Sequence, residues 1–291
     1  MKRLFAGLAA VLVAGALLSG GAPSARPAIR TAPMEVQPDI FFDQHEFHKG
    51  LGEVRTRQIT GGDGLVGGVV PHHNLAGAMF STFFVQLEAD PPETLIVVGP
   101  NHEHQGQRVI TGRRGWATPF GTVEADLPLV EALVKAGLAT VDDGALEKEH
   151  AVGALMPYLM YHAPGARVLP IVLHRDVTMA QMEQLAKTLA PWLDGSRVLV
   201  ASVDFSHYLK RAEAEAKDEV TWAAIQRFDL AALRRMGPDH IDSPGALGVL
   251  MLTMREIGAK GPSMEGHTNS GVLLNSDHIE TTSYFVLTYR R

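Results

Sequence analysis

The sequence predicts an α/β fold, a single domain in which a central mixed or mostly parallel sheet is flanked by helices. Three observations lead there. Short β-branched runs alternate with amphipathic stretches from about residue 60 onward, which is the pattern of strands connected through helices. Several of the runs are apolar almost without a break, as in Val66-Gly-Gly-Val-Val70, Leu95-Ile-Val-Val98 and Val198-Leu-Val-Ala-Ser-Val203. Strands buried on both faces read this way, because helices cover both sides of their sheet. Finally, 291 residues fit one large α/β domain, and neither a repeat nor an internal linker divides the chain.

The elements follow in order. Residues 1–25 have the grammar of a signal peptide: Lys2 and Arg3, an apolar run Leu4–Leu18, then the small residues Ser19–Ala25. The apolar core of about 15 residues is short for a bilayer span, which needs about 20. The expectation is therefore an exported protein, periplasmic or extracellular, with no membrane contact after cleavage. Residues 26–58, rich in Pro, Ala and charge at their start, are expected to form an N-terminal arm or linker before the α/β domain at 59–291. Strands are predicted at Leu65–Val70, Thr94–Val98, Arg167–Val172, Arg197–Val203 and Ser283–Thr288. Helices are predicted at Leu75–Leu87, Leu127–Ala136, Lys148–His162, Met179–Leu193, Arg211–Arg227 and Leu247–Ile257. Phe80, Phe83 and Phe84 share one helix and are expected in the core.

Composition narrows the function classes. Hydrophobic residues make up 46% of the chain and charged residues 20%, enough apolar side chain for a sizeable core and too little charge for a disordered chain. The net charge is −6, and no Lys/Arg run supplies the clustered basic surface that nucleic acid requires. Cysteine is absent, so disulfides, thiolate nucleophiles and Cys-ligated metal sites are excluded. Any metal must sit on His, Asp or Glu.

The thirteen histidines carry the functional signal. Three predicted strands break into polar loops holding His: Pro71-His72-His73-Asn74, Gly99-Pro-Asn-His-Glu-His104 and Asp204-Phe-Ser-His207. Ligands of open α/β sheets bind just outside the C-terminal strand ends. Parallel, neighbouring strands would bring His72, His102, Asp204 and His207 to one pocket. Imidazoles with a carboxylate suit iron(II), zinc, manganese or copper. The expected metal ligands are His72, His102 and Asp204. Asp204 and His207, three apart, are close enough to hydrogen-bond if the loop turns. His150, opening the helix after Glu147-Lys-Glu149, is favoured in its neutral form by the helix dipole and is a candidate base. The expected catalytic residues are thus His150, Asp204 and His207. His45, His48, His162, His174, His240 and His278 lack such a setting and are read as surface or structural.

The same segments, in order, resemble the Memo family, known in bacteria as AmmeMemoRadiSam system protein B. The matching stretches are Gly68-Val-Val-Pro-His-His73, Ile96-Val-Val-Gly-Pro-Asn-His102, Thr118-Pro-Phe-Gly-Thr-Val-Glu-Ala-Asp126, Glu149-His-Ala-Val152 with Met156-Pro-Tyr158, Val168-Leu-Pro-Ile171 and Ala201-Ser-Val-Asp-Phe-Ser-His207, with a weaker match at Thr268-Asn-Ser-Gly271. The resemblance implies a fold similar to the class III extradiol dioxygenases, which hold non-haem iron. It maps His72 and His102 onto the family's metal-binding histidines, Asp204 and His207 onto other pocket residues, and His150 onto the histidine after the family's glutamate. Two departures stand out. The family's Cys-Gly metal contact is matched to Asp242-Ser-Pro-Gly245, with Pro244 at the cysteine's place, which implies that Asp204, His207, His150 or Asp242 completes the shell, that affinity is reduced, or that the chemistry is lost. The acidic residue usual three positions after the Glu-His histidine is Gly153.

Three functions are compatible with these residues. The first is a non-haem metal-dependent oxidoreductase using iron(II), with zinc or copper as alternatives. The second is a non-enzymatic protein that binds a small-molecule, anionic or peptide ligand in the same pocket. The third is a metal-dependent hydrolase.

Overall fold

The structure is a computed structural model that describes residues 34–58 and 63–291. The expected signal peptide lies outside the described residues. Eleven strands occur among those described: β1 (Val36–Pro38), β2 (Leu65–Val70), β3 (Thr94–Pro100), β4 (Val109–Thr111), β5 (Gly115–Thr118), β6 (Gly121–Val123), β7 (Thr140–Val141), β8 (Arg167–Leu173), β9 (Arg197–Ser202), β10 (Lys260–Asn269) and β11 (Ser283–Arg290). Eight of them form one sheet in the order β10-β11-β2-β9-β3-β8-β4-β7, and β1-β5-β6 form a small second sheet. The run β2-β9-β3-β8 is parallel, with Val97 level with both Val200 and Pro170. Antiparallel β11 and β10 extend one edge, and β4 pairs antiparallel with β8 at the other.

The helices are α1 (Gln44–Thr56), α2 (Gly77–Phe84), α3 (Leu127–Lys135), α4 (Asp143–Glu147), α5 (His150–Gly153), α6 (Met156–His162), α7 (Met179–Leu189), α8 (Arg211–Gln226), α9 (Leu230–Leu233), α10 (Pro244–Glu256) and α11 (Ser270–Leu273). Their starts are written in the chain. Asp126 caps α3, Thr178 and Gln181 form a capping box on α7, and Ser243 caps α10. Side chains alternate across β3: Ile96 and Val98 join a core with α3, α7 and α10, while Leu95 and Val97 join a second core with α1, α2 and α6. Phe80, Phe83 and Phe84 are wholly buried in the second core, as expected. β2 approaches its neighbours so closely that a Cβ on Gly68 would fall 2.3 Å from the Leu287 carbonyl oxygen. Only glycine fits there.

Two regions depart from the expected pattern. The segment expected as an arm contains β1 and α1. Asp43 caps α1, and Phe47, Leu51 and Val54, spaced four and three apart, bury one helical stripe in the core. The single helix expected over Lys148–His162 is two short ones, because the chain breaks at Ala154–Leu155 and restarts with Pro157 in the first turn of α6.

Candidate metal centre

The parallel centre of the sheet sets the site. β2, β9 and β3 are adjacent and end at the same level, so the loops after them open side by side. His72 leaves the end of β2 and His102 leaves the end of β3. His150, the first residue of α5, stands against both. One nitrogen from each of these three lies within 4.8 Å of the other two. The His102 and His150 rings stack with centroids 4.1 Å apart, and the His72 ring meets both edge-on at 5.1 and 5.0 Å. His72 is buried, while His102 and His150 remain partly open to solvent.

The His102 and His72 rings are each oriented by a second partner, while His150 Nδ1 only approaches Glu149 Oε1 at 3.5 Å. Glu149 grips His102 twice: Oε1 lies 2.7 Å from Nδ1, and Oε2 accepts the His102 backbone N–H at 2.8 Å. The same carboxylate accepts the Ala151 N–H. Such a bond to Nδ1 leaves Nε2 of His102 as the free donor to a cation. His72 Nδ1 lies 3.2 Å from Ser202 Oγ, and its Nε2 lies 3.1 Å from Asp242 Oδ2 and 3.7 Å from Asp204 Oδ2. Asp204 also accepts the backbone N–H of His72 at 3.1 Å.

The electrostatics separate the rings. Burial alone would push the His72 pKa down, but Asp204 and Asp242 outweigh it and raise it to about 9. For His150 burial again disfavours charge, and here the neighbouring His72 and His102 add to it, lowering the value to about 4. Burial works against the charge on Glu149 too, yet His102 and two backbone amides hold its carboxyl below the usual range. His150 is therefore neutral, as expected, though α5 is only four residues long and burial beside two imidazoles is the cause.

Several expected placements change. Asp204 does not join the three histidines as an equal ligand; it braces His72 from behind. Asp204 and His207 do not pair: the His207 N–H bonds the Pro238 carbonyl, and its buried Nδ1 has no partner. The neighbouring His73 turns instead to Tyr284, its Nδ1 2.6 Å from the hydroxyl. In the stretch around Pro244, the residue that reaches the centre is Asp242. Pro244 opens α10, while Asp242 is tied to Asp204 by two backbone-involving bonds, Asp242 N to Asp204 O and Asp204 N to Asp242 Oδ2. Its Oδ1 is buried without a partner. Gly153 is also explained, since a Cβ there would meet the Phe41 ring at 2.6 Å. Phe41 fills that space and lies 5.9 Å from the His150 ring. Glu149 as the anchor of His102 was carried in sequence only by the Glu-His dipeptide, and Phe41 by nothing that marks a site.

His72 and His150 face an open cavity of about 650 Å³, walled by Phe41, Leu75, Leu274 and Ile279 with Asp43 and Glu280 at its polar side. The donor set fits a borderline divalent cation: three imidazole nitrogens, two of the rings held by hydrogen bonds, beside a carboxylate with an unpartnered oxygen. Nitrogens bound at about 2.0–2.1 Å to one tetrahedral ion lie roughly 3.4 Å apart, so the rings would draw together around it.

The sequence pattern of the Memo-like proteins matches residues 47–285. The chain belongs to the Memo family. Among its relatives, the MEMO1 family protein MK0963 of Methanopyrus kandleri is 31% identical over 242 residues, covering 78% of this chain and 84% of that one. The MEMO1 family protein PAE0818 of Pyrobaculum aerophilum is 32% identical over 225 residues, covering 72% and 78%. A solved structure, an uncharacterized protein JW3007 from Escherichia coli K12, superposes with a TM-score of 0.53 at 14% identity and covers 77% of this Memo chain and 98% of its own. That likeness concerns the fold alone.

Proposed function

We propose that this Memo protein is a non-haem metal-dependent oxidoreductase that binds a divalent transition metal, iron(II) first, through His72, His102 and His150. The observation that carries the reading is the convergence of three imidazoles from three separate elements, each orientable, at the mouth of an open cavity. When bound, such a cation acts as a Lewis acid and keeps positions free for substrate or dioxygen. The protein's own residues do the rest. Ser202 and Glu149 fix the His72 and His102 rings, and Asp242 and Asp204 supply the negative charge that three neutral imidazoles lack. His150, held neutral and facing the cavity, can either help hold the cation or accept a hydrogen bond from a bound substrate. Phe41, Leu75, Leu274 and Ile279 offer an apolar wall for a small molecule.

The alternative of a pocket for anionic ligands fits this cavity less well, because Asp43 and Glu280 line it. We also propose export, on the strength of residues 1–25; mass spectrometry of the processed N-terminus from fractionated cells tests it.

The test of the metal reading is elemental analysis of full-length protein purified without chelator. Close to one metal per chain is expected, with loss in His72→Ala and His102→Ala at unchanged folding. Metal-free wild type that takes up no iron(II), zinc or copper on titration would overturn it.

A further inference from the structure

Asp242 borders a second cavity, of about 200 Å³, that the proposed chemistry does not use. Its polar lining holds two guanidinium groups, Arg175 and Arg234, with the imidazoles of His104 and His174, Asp242, Ser243 and Gly245 from the first turn of α10. Neither guanidinium meets a carboxylate within 4.0 Å among the described residues. Asp176, the nearest acid in sequence to Arg175, gives its backbone N–H to His174 Nδ1 at 3.1 Å, and its carboxylate stands largely in solvent, more than 4.0 Å from either guanidinium. The His104 and His174 rings stand 5.3 Å apart. The 13-residue α10 adds the positive end of its dipole. Ser243 Oγ caps the Ala246 N–H, Pro244 has no N–H, and the Gly245 N–H has no acceptor within the helix. The one carboxylate in the lining, Asp242, is already matched by His72 at 3.1 Å. Two full charges and a helix N–H are therefore left without a counter-charge around a space the size of a small molecule.

We propose that this cavity is a binding site for a small oxyanion, a phosphate or a short carboxylate, held by Arg175 and Arg234 with the Gly245 N–H. Planar guanidinium forks match the paired oxygens of both groups. The volume admits a phosphate or a dicarboxylate and excludes a nucleotide. The site is independent of the three-histidine centre, although the two share the Asp242 wall, so an anionic ligand held here would lie beside that centre.

Isothermal titration calorimetry of the full chain with inorganic phosphate and, separately, with succinate tests the proposal. Saturable binding of one of them is expected, and whichever binds more tightly identifies the phosphoryl or the carboxylate source. Arg175→Gln/Arg234→Gln, both at exposed positions, should weaken it at least about tenfold, since charge-assisted hydrogen bonds are lost. His102→Ala, which removes a ligand of the three-histidine centre and leaves the His72–Asp242 contact in place, should bind the anion like wild type, which separates this site from the metal reading. No saturable binding up to about 10 mM, equal affinity in the arginine variant, or loss in the histidine variant would overturn it.

Discussion

The two ends of the parallel strands β3, β8 and β9 are built from similar residue types and behave oppositely. At their starts each charge faces an opposite one, although the buried Arg197 Nε makes no hydrogen bond. Buried Asp126 accepts Thr94 Oγ1 at 2.6 Å, lies 3.5 Å from Arg167 and caps α3 through the Leu129 N–H. Arg197 pairs with Asp194 and bonds the Trp192 carbonyl. At their ends, together with that of β2, the groups are left strained against one another: three imidazoles crowd together, His72 and His150 are displaced in opposite directions from their ordinary pKa of 6.5, and Asp242 Oδ1 has no partner. One end of the sheet is assembled for stability and the other is held ready for a ligand.

Four experiments sharpen or break that contrast. The largest effect expected is on metal retention, where His72→Ala removes a ligand and should lower affinity by more than 100-fold, read by competition with a chelator; the metal-free protein should also lose stability, because Asp204 and Asp242 lose the buried imidazolium they face. Next, Asp126→Ala should cost about 2–4 kcal/mol in denaturant unfolding, from a lost cap and an orphaned buried hydroxyl, with metal content unchanged. If that variant instead lost metal and kept its stability, the division between the two ends would be wrong. Glu149→Gln keeps the shape but not the charge behind His102 and should weaken metal binding by about 10–100-fold, again by chelator competition.

The most gradual effect is in pH. Because His72 is raised to about 9, its contribution to metal-free stability is complete below pH 6.5 and is lost as pH rises through about 9. Metal binding must displace that proton, so affinity should climb over the same range by up to about tenfold per unit. Stability and affinity thus slope in opposite directions on the alkaline side, which paired melting and chelator titrations would read. On the acid side His150, lowered to about 4, must take up charge in the unfolded chain first, so stability should fall from pH 6.5 toward 4.

Much of this arrangement was legible in the sequence, and the limits are physical. Leu65–Val70 is found with the predicted bounds, because an apolar run stopped by Pro71 leaves little choice. His72 and His102 converge as expected, since adjacent parallel strands place their following loops together. Asp204 was drawn to the right neighbourhood, but strand position does not fix which way a loop turns its side chains. Asp242 belongs to a segment joined to Asp204 only through backbone contacts formed on folding, including the Phe205–Ile241 bridge, and sequence spacing carries no trace of them. The helix α1 had a readable signal in Phe47, Leu51 and Val54, masked by the polar residues around them. Pro157 likewise marked the restart inside the expected long helix.

The Phe41–Gly153 contact reaches beyond its own packing. An acidic side chain at 153 and an aromatic ring from the preceding segment compete for one volume. A Memo chain with a carboxylate at that place must route its leading segment differently, and the mouth beside the His150 position will have another outline and polarity. The shape of the cavity can therefore change through a single small-for-large exchange three residues along the helix from His150, at a position outside the three-histidine cluster.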